Sequence, residues 1–187
     1  MPKVTVPMES MSEKVNCVYI RCITMKMNQV YLSLGSNEGN RSSQLNKAIE
    51  FLNEAGEVKI VSSVYETAAW GNTNQPSFLN LVLLMLTNDD AQNFMKQLLL
   101  IEEKMGRVRH WKWEARIIDI DILYFNNEII HEEDLIIPHP HLQERKFVLE
   151  PLVEIAPEFV HPILKLNSVL LLNQCTDKLQ VKKLQHA

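Results

Sequence analysis

The sequence contains few of the residues on which several common kinds of functional site depend. Only five glycines and three cysteines occur among its 187 residues. The glycines form neither a Gly-x-Gly-x-x-Gly nor a Walker A pattern, and no Gly-x-Ser-x-Gly elbow is present. Cys17, Cys22 and Cys175 lack the paired spacing of a zinc site or a disulfide framework. The sequence therefore disfavours Rossmann, P-loop and nucleophilic hydrolase chemistry.

Strong positive charge and long apolar runs are also lacking. The chain carries 19 Lys and Arg against 23 Asp and Glu, a formal net charge of −4, which argues against a general nucleic-acid binder. The apolar patch at residues 15–23 is too short to span a bilayer and lacks the features of a secretory signal. With 46% hydrophobic and 22% charged residues, the composition predicts a globular cytoplasmic domain that binds neither nucleic acid nor membrane.

Three regions can be distinguished along the chain. Residues 1–27 are mostly polar and aperiodic, which predicts a disordered leader or an over-long start. An extra edge strand from Cys17 to Thr24 is the alternative. Residues 28–172 are predicted to form a single domain. Residues 173–187 are predicted to be a polar, frayed tail, with residues 166–172 docking before it.

Hydrophobic periodicity predicts four strands and two helices in the central region. Helix 41–54 follows Asn40 as its cap, and a helix that starts at residues 88–90 should stop near Gly106. Gly35-Ser36-Asn37 is interpreted as a turn that could present backbone amides to an anion. The strands are predicted at residues 30–34, 58–65, 78–86 and 116–125. This order predicts an α+β, ferredoxin-like βαββαβ core, with helices on one face of an antiparallel sheet and a C-terminal extension.

Asp119 and Asp121 are the strongest local signal of a functional site. In a strand they project from one face, while the isoleucines that alternate with them project from the other. Two carboxylates so close repel each other unless a cation shares the site, and Mg²⁺ takes oxygen ligands of this kind. A solvated strand face is the alternative interpretation of an isolated Asp-x-Asp pair.

A basic and aromatic run directly precedes these carboxylates. Arginine forks and lysine suit phosphate oxygens, and tryptophan can stack on a base. Alone, the run could be a nucleic-acid patch or a solvated loop, but beside two aspartates it favours a nucleoside triphosphate and metal site. Its cations and tryptophans are Arg107, Arg109, Lys112, Arg116, Trp111 and Trp113. His139 and Arg145, in and after a proline-stiffened loop, are further candidates, with ordinary surface hydrogen bonds as the alternative.

Several motifs in one order resemble the 6-hydroxymethyl-7,8-dihydropterin pyrophosphokinase family of folate biosynthesis. The resemblance runs from about Val30 to Pro157. It rests on Leu34-Gly35-Ser36-Asn37, Ser63-Val64-Tyr65-Glu66-Thr67, Gln75-Pro76-Ser77-Phe78-Leu79-Asn80, Gly106-Arg107-Val108-Arg109, Arg116-Ile117-Ile118-Asp119-Ile120-Asp121, Pro138-His139-Pro140 and Arg145-Lys146-Phe147.

The resemblance implies a reaction and a set of site residues. The β,γ-pyrophosphoryl unit of ATP would be transferred to the hydroxymethyl group of the pterin, with release of AMP, by a protein expected to be a monomer. Asp119 and Asp121 would hold two Mg²⁺ ions, and Arg107 and Arg109 would act in catalysis from a loop that closes over the triphosphate. The implied ATP-binding residues are Glu102, Arg107, Arg109, Lys112, Trp113, Arg116, Ile122, His139 and Arg145. The implied pterin-binding residues are Thr67, Ala68, Trp70, Phe78, Asn80, Trp113 and Phe147.

Three departures from the family pattern lie close to these residues. Lys112 stands where the family often has arginine, Glu114-Ala115 replaces a common Gly-Pro pair, and Ala68-Ala69 replaces a pair that often contains proline. None of them alters the two aspartates, so an active enzyme is expected. Two other functions stay open at this point: another Mg²⁺-dependent phosphoryl or nucleotidyl transferase, and an RNA-binding module on the same fold.

Overall fold

An antiparallel sheet of six strands carries the fold of the computed structural model, which describes residues 27–68, 75–107 and 115–184. In chain order the strands and helices are β1 (Asn28–Ser36), α1 (Arg41–Ala55), β2 (Glu57–Val61), β3 (Tyr65–Thr67), β4 (Phe78–Thr87), α2 (Ala91–Lys104), β5 (Asp119–Phe125), β6 (Ile130–His131), β7 (Ile136–Ile137), α3 (Lys146–Ile155), α4 (Ser168–Gln174) and β8 (Val181–Lys183). The sheet order is β5-β1-β4-β3-β8, and β2 also pairs with β4; β6 and β7 form a separate two-stranded sheet. The predicted ferredoxin-like α+β fold is confirmed.

The first two helices start where the sequence predicts because their caps are local. The Asn40 side-chain oxygen accepts the N–H of Ser43 at 3.1 Å, and that of Asp90 accepts the N–H of Asn93 at 2.8 Å. Gly106 lies just beyond α2 with φ +92°, a conformation that glycine adopts without strain. The predicted helix boundaries are therefore correct to within one or two residues.

Helices cover both faces of the sheet. On the predicted face, α1 and α2 enclose the larger core, which takes alternate residues of the neighbouring strands β5, β1 and β4. On the other face, the C-terminal extension adds α3 and α4, which pack over a second core around Tyr31 and Tyr124. The fully buried large side chains of the two cores include Leu32, Leu34, Leu81, Leu83, Phe94, Leu98, Ile118 and Tyr124.

Three of the predicted strand boundaries are wrong. Gly35 and Ser36 belong to β1, because Gly35 pairs with strands on both of its sides. The predicted strand 58–65 divides in two because the Ser62 hydroxyl accepts the N–H of Val82, at 3.0 Å, in place of a backbone carbonyl. The last predicted strand starts only at Asp119. Its earlier residues turn away, and the backbone of Arg116 bonds instead to Asn37.

The prediction of a frayed tail is wrong for residues 173–184, the part of the tail that the structure describes. After α4, which confirms the predicted docking of residues 166–172, the chain forms β8 and pairs with β3. The N–H of Leu184 then bonds to the carbonyl of Val64 at 2.9 Å. The predicted leader up to residue 26, with its alternative edge strand, lies outside the described residues. Within the described stretches, no helix is long and apolar enough to cross a membrane.

Candidate active site

The candidate site lies at one end of the sheet, on the face opposite α1 and α2. Asp119 of β5, Gly35 of β1 and Asn80 of β4 stand directly opposite one another in the strand register, and Asp121 stands opposite Ser33. Directly paired residues of antiparallel strands point to the same face. The sheet therefore places carboxylates and an amide on one surface, with a glycine between them.

Asp119 is the centre of a cluster of charged side chains. Its Oδ1 lies 2.6 Å from Nη1 of Arg107, and its Oδ2 is paired with Arg116. Arg107 is also paired with Glu102, which is buried on α2 and accepts the backbone N–H of Ile120 at 2.8 Å. Glu102 thus joins α2 to β5 and orients the arginine. Arg107 lies between two acids, with its guanidinium at the edge of the site.

Asp121 faces two groups from the loop before α3. Its Oδ2 lies 3.8 Å from Nε2 of His139 and 3.6 Å from Nη1 of Arg145. Burial, and after it the negative charge of Asp119, raise the pKa of Asp121 above its ordinary value. The two carboxylates therefore form a site in which additional positive charge is favourable.

His139 is neutral at physiological pH. Burial, and after it the positive charge of Arg145, lower the pKa of His139 to about 4. Its Nδ1 lies 3.2 Å from the backbone nitrogen of His141. Its Nε2 lies 3.4 Å from Nη1 of Arg145, which can only donate, and 3.8 Å from Oδ2 of Asp121, which accepts when ionised. The tautomer of the neutral ring therefore depends on which of these two groups Nε2 bonds to.

Asn80 forms the other side of the site. It is 3% exposed, and its Nδ2 donates to Oγ1 of Thr67 at 2.9 Å. Phe78 is half-buried two residues earlier in β4, and Ala68 is exposed directly after β3. Phe147 lies in the first turn of α3, with its ring centroid 5.9 Å from the guanidinium carbon of Arg145. Amide, hydroxyl and aromatic groups are the chemistry that a flat heterocycle with polar edges requires.

Gly35 lies between Asp119 and Asn80 in the strand register, and its lack of a side chain leaves space above the sheet between them. A Cβ built on Gly35 would lie 3.1 Å from Oδ1 of Asn80 and 3.7 Å from the ring of Phe78. The backbone of Gly35 is part of a regular strand, so what the position requires of glycine is its size. The predicted turn is therefore wrong at Gly35, which lies in a strand and is required there because a larger residue would press on Asn80.

Asn37 links the two loops that border the site. Its Oδ1 accepts the N–H of Arg116 at 2.6 Å, and its Nδ2 donates to Oε1 of Gln75 at 3.2 Å and to the carbonyl of Pro76 at 3.4 Å. Asn37 is 2% exposed. The loop before β4 and the loop before β5 are thus held to the end of β1 by a single amide.

The structure brings most of the predicted site residues together in two groups at this end of the sheet. Ile122 is not among them, because its side chain is buried in the larger core on the opposite face. Four predicted residues, Trp70, Arg109, Lys112 and Trp113, lie outside the described stretches. The charged group consists of Glu102, Arg107, Arg116, Asp119, Asp121, His139 and Arg145. The second group consists of Thr67, Phe78 and Asn80, with Ala68 directly after Thr67, and Phe147 lies beside Arg145 of the charged group.

Sequence reasoning assigned no site role to Gly35 or Asn37 beyond the turn. Both stand in the motif Leu34-Gly35-Ser36-Asn37, and the signal for Asn37 is its polarity at the end of an apolar strand. The signal for Gly35 was weaker, since nothing local shows which strands will flank it.

Comparisons with known proteins agree with this geometry. Residues 31–157 match the family described as 7,8-dihydro-6-hydroxymethylpterin-pyrophosphokinase (HPPK). The 2-amino-4-hydroxy-6-hydroxymethyldihydropteridine pyrophosphokinase of Aquifex aeolicus is 46% identical over 137 residues, which cover 73% of this chain and 86% of that protein. The protein of the same name from Bacillus subtilis is 41% identical over 133 residues, covering 70% of this chain and 80% of that protein.

A solved structure supports the fold independently. The Plasmodium falciparum HPPK-DHPS structure with pteroate superimposes with a TM-score of 0.63 over 80% of this chain, at 19% identity. This chain spans 44% of that longer chain. Because the family match covers residues 31–157, which include both groups of site residues, the chain belongs to the 7,8-dihydro-6-hydroxymethylpterin-pyrophosphokinase family.

Proposed function

We propose that this chain transfers pyrophosphate from ATP to 6-hydroxymethyl-7,8-dihydropterin, giving the pterin diphosphate and AMP, in folate biosynthesis. Family membership supports the activity. The observation that supports the site best is that Asp119, Gly35 and Asn80 lie side by side on three neighbouring strands. Two strand spacings separate Asp119 from Asn80 by about 10 Å. A pterin bound at Asn80 can therefore direct its hydroxymethyl group toward phosphates bound near Asp119.

Asp119 and Asp121 are proposed to hold two Mg²⁺ ions, and the residues present fit them. The two side chains are 21% and 39% exposed, so their oxygens are accessible. In the described stretches no group of three or more His, Cys, Asp or Glu residues could hold a metal ion by itself. Mg²⁺ is commonly held by one or two carboxylates together with substrate phosphates and water. Bound here, the ions would neutralise phosphate charge and lower the pKa of the attacking hydroxyl.

The cationic side chains around the aspartates are proposed to bind the triphosphate. Arg107, Arg116 and Arg145 each pair with a carboxylate, and a guanidinium fork donates to phosphate oxygens with the same geometry. Nε2 of His139 lies near the same aspartates, and in its Nε2-protonated form the ring can donate to a phosphate or ribose oxygen. Arg109, Lys112 and Trp113 are added to this set on the sequence resemblance alone.

The pterin is proposed to bind between Asn80 and the aromatic residues. Nδ2 of Asn80 donates one N–H to Thr67, so its second N–H can donate to the pterin edge while its Oδ1 accepts an N–H from that edge. Phe78 and Phe147 would stack on the ring, with Trp70 and Trp113 as further candidates from the sequence. Thr67 fixes the orientation of the amide, and it thereby sets which edge of the heterocycle is recognised.

Product analysis tests the reaction directly. The full chain is incubated with ATP, Mg²⁺ and 6-hydroxymethyl-7,8-dihydropterin, and nucleotides and pterins are separated by chromatography. AMP and pterin diphosphate should form in equal amounts, and both should require Mg²⁺. ADP as product would indicate a kinase, free pyrophosphate would indicate nucleotidyl transfer, and either result would refute the proposal.

The assembly and cellular location are proposed to be those of a monomeric cytoplasmic enzyme. Light scattering coupled to size-exclusion chromatography should give the mass of one chain, 21.7 kDa. A dimer mass would contradict this part of the proposal without affecting the reaction.

A further inference from the structure

The segment that follows α4 connects two parts of the molecule that border the proposed pterin slot. Asp177 accepts the backbone N–H of Lys146 with Oδ2, at 3.1 Å, and that of Leu179 with Oδ1, at 3.0 Å. The segment then forms β8, in which Val181 pairs with Thr67. Residues 177–181 therefore run from the N-terminus of α3 to the end of β3.

At the first of these points, Asp177 supplies a cap that α3 does not have locally. The residue in the N-cap position is Arg145, and a guanidinium cannot accept the first N–H groups of a helix. A carboxylate there accepts a backbone donor and interacts favourably with the helix dipole. Lys146 lies between Arg145, which faces Asp121, and Phe147. Fixing the backbone of Lys146 therefore fixes two proposed substrate contacts.

At the second point, β8 gives β3 a second hydrogen-bonded neighbour. β3 has only three residues, and without β8 it would be a short edge strand. Lys183 pairs with Tyr65 in the register and lies 3.3 Å from Glu154 of α3. Because Thr67 orients the Asn80 amide, the same C-terminal segment holds both walls of the slot.

We propose that Asp177 is a positioning residue for the pterin slot and acts through a C-terminal strap, residues 177–183. The strap sets the separation between Phe147 on α3 and Thr67 on β3. It lies beyond residues 31–157, which match the family. This inference rests on the proposed function.

The test compares Asp177→Ala with Asp177→Asn in the full chain, using steady-state formation of AMP. Loss of a helix cap should raise the KM for the pterin about fivefold in Asp177→Ala, with kcat changed less than about twofold and the KM for ATP unchanged. Asn keeps one acceptor oxygen, enough for the N–H of Lys146 but not also for that of Leu179, so Asp177→Asn should raise the KM for the pterin less than Asp177→Ala does. A role in stability alone would not produce this separation of KM from kcat.

A matched control and a second variant make the result specific. Glu158→Ala removes another acidic side chain of the C-terminal extension, one that bonds to Asn167 at 3.0 Å, and it should leave both KM values unchanged. Lys146→Pro removes the N–H that Asp177 accepts, at a helix position that tolerates proline. It should reproduce the effect of Asp177→Ala, and the double variant should be no worse than either single variant.

The outcomes separate the strap from the reaction. A wild-type KM for the pterin in a folded Asp177→Ala protein, or equal rises in Asp177→Ala and Asp177→Asn, would overturn the positioning role while the wild-type chain still makes AMP. If Asp177→Ala does not fold, a wild-type KM for the pterin in Lys146→Pro would overturn it. A wild-type chain that makes no AMP would overturn the proposed function and the inference with it.

Discussion

Replacement of Gly35 by alanine should weaken pterin binding and leave ATP binding intact. The added Cβ would lie 3.1 Å from Oδ1 of Asn80, which is closer than the ordinary contact range of 3.4–4 Å, so the amide must move by a few tenths of an ångström. That amide is held by its 2.9 Å hydrogen bond to Thr67 and cannot move freely. The movement therefore misplaces the oxygen that is proposed to accept the pterin.

The magnitude follows from the loss of one hydrogen bond. A misaligned bond costs about 1 kcal/mol, which corresponds to a roughly fivefold higher Kd for the pterin. Folding should not suffer, because alanine in a regular strand is more favourable than glycine by about 0.5–1 kcal/mol. Gly35→Val places two further carbons at the same point and should reduce pterin binding more strongly.

Equilibrium binding measurements for the pterin and for ATP, together with thermal unfolding, test this reasoning. Gly39→Ala is the matched control: Gly39 has φ +62° and nothing within 4 Å of a built Cβ. It should lower stability by about 1 kcal/mol through backbone strain and leave pterin affinity unchanged. An unchanged Kd for the pterin in Gly35→Ala, or equal losses for both ligands, would refute the role assigned to Gly35.

Three further predictions concern the carboxylates and the slot. Asp121→Ala should abolish Mg²⁺-dependent turnover in a protein that still unfolds cooperatively; full activity in a folded variant would contradict the metal site. Asn80→Ala should raise the Kd for the pterin at least about tenfold and that for ATP less than twofold, and equal losses would argue against the slot. Burial raises the pKa of Glu154, but hydrogen bonds from Tyr65 and Ser63 lower it more, so its net pKa lies below the ordinary value. Glu154→Gln should therefore cost about 1–2 kcal/mol at pH 7 in urea unfolding, a cost that disappears as the pH falls through the folded-state pKa of this carboxyl. An equal cost at pH 7 and pH 3 would contradict the ionic origin of the effect.

Local signals account for the parts of the fold that the sequence predicts correctly. Asn40 and Asp90 cap their helices with side chains three residues from the N–H groups they accept, so the start of each helix is determined within a few residues of sequence. The alternation of aspartate and isoleucine in β5 likewise places two carboxylates on one face without reference to the rest of the chain. Such features are readable because they require no knowledge of which strands become neighbours.

The parts that the sequence predicts incorrectly depend on contacts distant in sequence. Ser62 ends β2 because its hydroxyl meets Val82, and Gly35 remains in β1 because strands pair on both of its sides. The tail pairs with the edge of β3 as β8. Its Asp177 also accepts the first N–H of α3, where Arg145 in the N-cap position cannot. Each of these contacts joins residues that are far apart in the sequence, so no local pattern predicts them. For the tail, only its polar composition could be used, and that composition predicted a frayed end.

The covering of the second sheet face explains why the site lies where it does. Along β1, the residues on this face decrease in size from Tyr31 through Ser33 to Gly35. Tyr31 lies beneath the C-terminal extension, with its ring centroid 5.0 Å from that of Phe159. Asp121 pairs with Ser33 and Asp119 with Gly35, so a helix continued over them would bury two carboxylates at a cost of several kcal/mol each. The extension must therefore stop where these carboxylates begin, and the uncovered end of the sheet becomes a shallow site with charge at one side and an amide at the other.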